Sequence, residues 1–234
     1  MISGIIVAAG KGVRMNRTVR KQYLNLEGQP ILCHTLEAIG GCNIIDEIVL
    51  VVPEEDFDYC RRHILPVSGL EKKTTLVAGG PERQDSVYSG LLAVEESDDI
   101  VVIHDGVRPF IQQQSLVDCV ENAKRFGACI LGIPASDTIK NVSSSGFIDG
   151  TLDRETMWLA QTPQAFQYRI IKEAHDAARR DGYRATDDAL LVERLGHKVK
   201  IVRGDRYNLK ITTAEDLVIA SAILQTRSKK SLLA

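Results

Sequence analysis

Ile5-Ile6-Val7-Ala8-Ala9-Gly10-Lys11-Gly12-Val13-Arg14-Met15, followed closely by Lys21-Gln22-Tyr23-Leu24, decides how the rest of the chain reads. The β-branched run predicts a parallel strand buried on both faces. It gives way to small residues, two glycines and then cations, the order expected of a loop that wraps phosphate. Glycine lets backbone N–H groups approach phosphate oxygens with no Cβ in the way, and Arg14 and Lys21 supply opposing charge. Ala8, Ala9, Gly10 and Gly12 thereby form a candidate triphosphate loop. Two familiar glycine-rich motifs do not fit. A dinucleotide fingerprint needs glycine where Met15 stands, and a P-loop needs Gly-Lys-Ser/Thr after four spacers, whereas Lys11 sits between Gly10 and Gly12. The alternative is an ordinary strand-turn-helix loop with solvated Lys11 and Arg14.

Working outward, Pro30 to Ile39 predicts a helix stopped by Gly40-Gly41, and Ile48 to Val52 a second buried strand. Leu76-Val77 reads as a short strand ending at Gly79-Gly80, Ser86 to Glu95 as a helix, and Ile100 to Ile103 as a fourth strand. Ser115 and Asp118 suggest a capping box opening a helix over Leu116 to Phe126, closed by Gly127 and followed by a strand from Cys129 to Pro134. Strands alternating with helices at this pitch predict an α/β fold, a Rossmann-like doubly wound, mostly parallel sheet. The rhythm breaks between Ala135 and Gln164. There Thr138 to Val142, a turn at Ser143 to Gly146, and Phe147-Ile148 predict a projecting β-arm over residues 136–156. A small hairpin is marginal alone, so the arm is expected to pack on a partner subunit. Helices follow over Tyr168 to Arg180 and Thr186 to Leu195, the latter stopped by Gly196. A strand at Val199 to Val202 and a helix to about Gln225, opened by a Thr213/Asp216 capping box, complete the chain before a tail expected to fray from Arg227.

The 234 residues suffice for one α/β domain over 1–234. A net charge of -2, from 29 Lys+Arg against 31 Asp+Glu, argues against nucleic-acid or membrane-surface partners, so any phosphate site is a local cluster. The five cysteines form no C-x-x-C pair and read as free thiols in a reducing compartment. With no signal-like or membrane-spanning run, a cytoplasmic protein is expected.

Ligands of open α/β sheets bind outside the carboxyl ends of the strands, so the residues after each strand matter most. Strand one leads to Arg14 and Lys21, the third to Gly80-Pro81-Glu82-Arg83-Gln84-Asp85-Ser86, and the fourth to His104-Asp105-Gly106-Val107-Arg108. Asp105 reads as a Mg²⁺ ligand, a ribose-hydroxyl acceptor or the ion-pair partner of Arg108. His104 reads as a packing or locally hydrogen-bonded residue rather than a base. Lys210 precedes a helix whose N-terminus also favours anions.

Together these tracts resemble the 2-C-methyl-D-erythritol 4-phosphate cytidylyltransferase family. The resemblance rests on Ala8-Ala9-Gly10-x-Gly12-x-Arg14-Met15, Lys21-Gln22-Tyr23-Leu24, Gly79-Gly80-x-x-Arg83-x-Asp85-Ser86-Val87 and His104-Asp105-x-x-Arg108-Pro109. It continues through Gln161-Thr162-Pro163-Gln164-x-Phe166, Thr186-Asp187-Asp188-Ala189 and Asn208-x-Lys210-Ile211-Thr212, in order over nearly the whole chain. It implies a CTP- and Mg²⁺-dependent enzyme of non-mevalonate isoprenoid synthesis, usually a homodimer. Arg14 and Lys21 would be the triphosphate and transition-state cations, Gly80 and Ser86 part of the cytosine segment, and Asp105 and Arg108 near ribose and substrate. Thr138 and Arg154 would reach the substrate phosphate of the neighbouring subunit, with Thr186 and Lys210 acting in their own.

Two departures stand out: Gly106-Val107 replaces the more usual Ala-Ala, and Arg20 stands where proline often precedes the lysine. Ribitol 5-phosphate cytidylyltransferases are the nearest alternative, but Ala8-Ala9-Gly10 and Thr186-Asp187-Asp188 differ from their usual Ala-Gly-Gly and Ser-Asp-Ala. A non-catalytic nucleotide-binding module is a second alternative, against which the full cation set and the arm argue.

Overall fold

A computed structural model describes residues 1–10, 19–95 and 99–231, residues 228–231 by backbone alone. Strand β1 (Ile2–Val7) lies inside a seven-stranded sheet, pairing in parallel with β4 (Glu47–Val52) and β6 (Ile100–Asp105). The other strands are β5 (Thr74–Ala78), β7 (Ala128–Pro134), β10 (Trp158–Gln167) and β11 (Lys200–Arg203), in the order β11-β7-β10-β6-β1-β4-β5. Only β10 runs antiparallel to its neighbours, β6 and β7. The Rossmann-like, mostly parallel sheet is therefore present.

Successive side chains of a strand face opposite ways, and this divides the core. Ile6, Leu50 and Val102 share one cluster with Leu32 and Leu36 of α1 (Ile31–Gly40) and Leu116 and Val120 of α4 (Gln113–Phe126). Ile5, Val51 and Ile103 share the other with Val87 and Leu91 of α3 (Arg83–Leu91) and Ile171 and Ala174 of α5 (Tyr168–Arg180); Leu191 of α6 (Asp188–Arg194) completes it. A third cluster gathers Leu26, Val107, Phe110, Ile211, Ala220 and Ile223, seating α7 (Ala214–Ser231) over the loop after β6 and the small ribbon of β2 (Asn25–Leu26) and β3 (Gln29–Pro30). Leu209 to Thr212 are thereby brought to the sheet's carboxyl edge, where Ile211 N–H donates to the Val107 carbonyl at 2.9 Å.

The largest departure from the sequence reading is β10. Residues 158–164 were expected within an irregular break, yet they begin a ten-residue strand. Proline and three polar residues disguise it, because proline removes a ladder donor. Pro163 is tolerated because the register shifts between Gln161 and Gln164, which takes Thr162 and Pro163 out of the ladder. Helix α3 opens at Arg83 rather than Ser86, and α4 at Gln113 behind an extended Gln112, so Ser115 lies in the first turn and is no cap. The other expected capping box is formed: Thr213 Oγ1 accepts from Asp216 N–H at 3.3 Å, and Asp216 Oδ2 from Thr213 N–H at 2.9 Å. Helix α7 continues past Arg227 to Ser231, with the Arg227 guanidinium over Phe110 and bonded to its carbonyl at 3.2 Å. A short helical segment missed in the sequence, α2 (Phe57–Tyr59) running into a wide turn at Cys60–Ile64, follows β4.

The expected hairpin is present as β8 (Lys140–Val142) paired with β9 (Ile148–Thr151), turning at Gly146 with φ +86°. Val142, Phe147 and Ile148 stand exposed on it.

Candidate active site

A cleft of about 540 Å³ opens at the carboxyl ends of β1, β5 and β6. Its floor is backbone. Ala8 N–H donates to the Val51 carbonyl at 2.8 Å, and the Ala8 carbonyl accepts from the buried Gln22 amide at 2.6 Å. Gly79 is required where the loop after β5 meets the loop after β1, since a Cβ there would lie 2.1 Å from the Ala9 Cβ. Gly80 N–H donates to Ser86 Oγ at 3.1 Å, which fixes the loop that enters α3. Gly106 is similarly confined, with Ala8 Cβ 2.8 Å from where its own Cβ would be.

At the end of β6 the Asp105 carboxylate, 5% exposed, collects three cations. Arg83 Nε donates to Oδ1 at 3.1 Å, while Lys210 Nζ at 2.8 Å and Arg108 Nε at 3.5 Å face Oδ2. Burial alone would raise the pKa of this acid; Arg83, then Lys210 and Arg108, outweigh it and hold the carboxyl well below the usual carboxylate range. Arg83 also donates through Nη1 to Asp188 Oδ2 at 2.7 Å, and His175 Nε2 donates to Asp188 Oδ1 at 3.1 Å. Burial works against the guanidinium, but the carboxylates of Asp188 and Asp105 raise its pKa further above the ordinary arginine value. Asp188, 1% exposed, is thus a buried carboxylate braced between two side chains.

His104 fills a local structural role. Its Nε2–H donates to the Arg108 carbonyl at 3.0 Å, and its Nδ1 accepts from Thr162 Oγ1, also at 3.0 Å. Burial lowers its pKa to about 4, so it is neutral at pH 7. Thr162 Oγ1 in turn accepts from Asp105 N–H at 3.1 Å, so the irregular part of β10 directly fixes the site acid. Arg108 Nη1 donates to the Asn208 carbonyl at 2.7 Å, and Asn208 Nδ2 donates to the Thr162 carbonyl at 2.8 Å. These bonds tie the loop bearing Lys210 to both β6 and β10.

Of the residues singled out in the sequence, Ala8, Ala9, Gly10, Lys21, Gly80, Ser86, Asp105 and Lys210 line this one cleft, and Arg108 joins through Asp105. Gly12 and Arg14 lie in 11–18, outside the described residues. Thr138, just before the hairpin, and Arg154, on the turn after it, are exposed, and Thr186 is exposed before α6; none of the three lines the cleft. Sequence reasoning assigned no site role to Arg83, Asp188, His175, Gln22 or Thr162. Four of these stand inside motifs already quoted, whereas His175 carries no sequence signal at all.

An open α/β sheet with a glycine-lined, cation-rich cleft at its strand ends is the layout of a nucleotide-handling α/β protein. The profile of the IspD family, 2-C-methyl-D-erythritol 4-phosphate cytidylyltransferase, matches residues 2–226, and the chain belongs to that family. It is 50% identical to the 2-C-methyl-D-erythritol 4-phosphate cytidylyltransferase of Syntrophus aciditrophicus, covering 96% of each chain. The enzyme of that name from Geotalea uraniireducens is 48% identical over 96% of this chain and 97% of its own. Among solved structures, the 4-diphosphocytidyl-2C-methyl-D-erythritol synthase of Anaerococcus prevotii superposes with a TM-score of 0.86 at 34% identity, covering 96% of both chains. The cytidylyltransferase of Thermus thermophilus gives 0.77 at 30% identity, covering 94% of this chain and 98% of its own.

Proposed function

We propose that this chain joins CTP to 2-C-methyl-D-erythritol 4-phosphate, giving 4-diphosphocytidyl-2-C-methyl-D-erythritol and pyrophosphate. The observation that carries this reading is the cleft itself: in a chain of this family, the glycine floor and the Asp105-centred cations converge at the sheet's carboxyl edge. The acceptor's phosphate oxygen attacks the α-phosphorus of CTP in line, and pyrophosphate leaves. No side-chain nucleophile is needed, so the protein contributes positioning and charge. Lys21, with Arg14, stabilises charge on the α-phosphate as the leaving oxygen separates. Ala8, Ala9, Gly10 and Gly12 hold the triphosphate, Gly80 and Ser86 the base, and Asp105 the ribose. Arg108, Thr186 and Lys210 bind the acceptor from the same chain.

The resemblance also implies Mg²⁺. Among the described residues no cluster of three His, Cys, Asp or Glu side chains could hold a metal ion, and each oxygen of Asp105 already faces a cation. Asp105 therefore does not fit as a direct ligand. A divalent ion would enter with the nucleotide and take most of its ligands from phosphate oxygens, as magnesium commonly does.

The exposed apolar hairpin supports a homodimer in which the arm, residues 136–156, carries Thr138 and Arg154 to the partner's cleft. The rest of 1–234 forms a single nucleotidyltransferase domain. Among the described residues no helix is long and apolar enough to cross a membrane, and five buried free thiols favour a reducing, cytoplasmic location.

Pyrophosphate release from CTP, measured with 2-C-methyl-D-erythritol 4-phosphate and with ribitol 5-phosphate, tests the reading. Turnover with the first acceptor is expected, together with a loss of about 10²- to 10³-fold in kcat for Lys21→Ala. Preference for ribitol 5-phosphate would move the protein to the sister activity. CTP binding without pyrophosphate release from either acceptor would leave a binding module.

A further inference from the structure

Lys21 opens a three-residue 3₁₀ turn, Lys21–Tyr23, and its chain neighbours are fastened on two sides. On one side Gln22, 1% exposed, donates its amide to the Ala8 carbonyl at the end of β1. On the other, Arg20 Nε pairs with Asp56 Oδ2 at 3.0 Å, and Arg20 Nη2 pairs with Glu55. Tyr23 O–H donates to the same Asp56 oxygen at 3.0 Å. Burial, with Cys60 and Asp56 nearby, pushes the Tyr23 phenol upward, so it remains the donor. Arg20 and Asp56 side chains are 27% and 17% exposed, which shields their pair more than a surface salt bridge. The acids belong to the Glu54–Asp56 turn directly after β4, a neighbour of β1 in the sheet.

The backbone of Arg20 explains what the pair does. It sits at φ -61°, the value a proline ring would impose, with ψ 140°, and its carbonyl accepts from Tyr23 N–H at 3.0 Å to start the turn. Arginine has no intrinsic lock at that φ, so its side chain must supply one. We propose that Arg20, held by Asp56 and Glu55, is a positioning residue for Lys21: an ionic clamp that fixes the turn from outside as a proline would fix it from within. This rests on the assignment of Lys21 to the chemistry. Misplacement of a reacting group by about 1 Å can cost ~10²-fold, so a clamp of modest strength has a kinetic effect larger than its effect on stability.

The test is a kinetic series at saturating CTP and acceptor, with thermal midpoints recorded for every variant. Arg20→Ala and Asp56→Asn are each expected to lower kcat about tenfold with KM for the acceptor changed by less than about threefold, at unchanged midpoint. The double variant should lose little more than either alone, because the two act as one unit. Arg20→Pro should recover most of the lost kcat. It should also be less sensitive than wild type to added salt, which weakens an ion pair and leaves a ring untouched. Wild-type kcat in Arg20→Ala, strictly additive losses, or a wild-type salt response in Arg20→Pro would overturn the clamp. Lys21→Ala is run beside them: near-wild-type turnover there removes the role of Lys21 itself, whereas an inactive Lys21→Ala with a fully active Arg20→Ala removes the clamp alone.

Discussion

Asp105 is gripped by Arg83, Arg108 and Lys210 from three separate parts of the chain, whereas the hydrogen bonds of the hairpin stay largely within it. Lys140 Nζ donates to Thr151 at 2.6 Å, Phe147 N–H to Ser143 Oγ at 3.2 Å, and Arg154 Nη1 reaches only as far as the Ser136 carbonyl, at 3.5 Å. Around Asp105 the charges compensate one another inside the fold; on the arm, charged and apolar side chains alike face outward. The contrast separates a cluster that one chain braces by itself from an arm that one chain leaves exposed, the part that the proposed function has a partner subunit complete. The former has already met the cost of ordering its side chains during folding, which is what preorganisation requires.

The sharpest way to break this comparison is to loosen the braced half. Asp188 does not itself line the cleft; it sits behind Arg83, which does, and is the buried counter-charge that holds the guanidinium against Asp105. Asp188→Asn removes that charge while keeping the shape. It should destabilise the protein by about 3 kcal/mol, the range for breaking a buried pair on one side. Urea unfolding at pH 7 checks this, and a loss below about 1 kcal/mol would mean that the Arg83 bridge is incidental.

An effect of comparable size is expected from acid. His104 is fully buried, with its pKa lowered by burial from 6.5 to about 4. At pH 7 the imidazole is uncharged in the folded protein and mostly uncharged in the unfolded chain. Below 6.5 the unfolded chain takes up a proton that the folded protein refuses until about 4, so stability falls across that window by up to about 3 kcal/mol. Asp105, with its depressed pKa, contributes its own loss only at still lower pH. Urea midpoints taken between pH 7 and 4 should show the decline, and His104→Gln should flatten it. An equally steep decline in the variant would place the acid sensitivity elsewhere.

How much of this was legible in the sequence depends on the range of each interaction. The runs at Ile5, Ile48 and Ile100 announced themselves because a parallel strand covered on both faces must be apolar throughout. The glycines and cations after them were visible because ligand sites of such sheets lie at strand ends. Strand β10 was hidden because its sequence also serves the site: Thr162 and Gln161 are polar in order to hold Asp105, His104 and the 205–208 loop. The Arg83–Asp188 pair spans 105 positions, and nothing local to either residue specifies the other. His175 looks like any helix residue until α5 is packed beside α6. Arg20 was noticed only as a departure; its φ and its acids exist only in three dimensions.

The smallest expected effect falls on the arm, and it sharpens the comparison most directly. Arg154 is exposed and its side chain makes one long hydrogen bond among the described residues, so Arg154→Ala should leave the unfolding free energy within about 0.5 kcal/mol of wild type. If the arm completes a neighbour's site, the same variant should raise KM for the acceptor phosphate roughly tenfold, the order expected for one lost charged contact, with KM for CTP little changed. Mixing Arg154→Ala with Lys21→Ala subunits distinguishes the source of the contact. A site built across two subunits receives wild-type Arg154 from the Lys21→Ala chain and wild-type Lys21 from the other, so a mixed dimer regains one fully furnished cleft with normal KM. A site built within one chain never has both, and the mixture would keep the high KM of the Arg154→Ala parent.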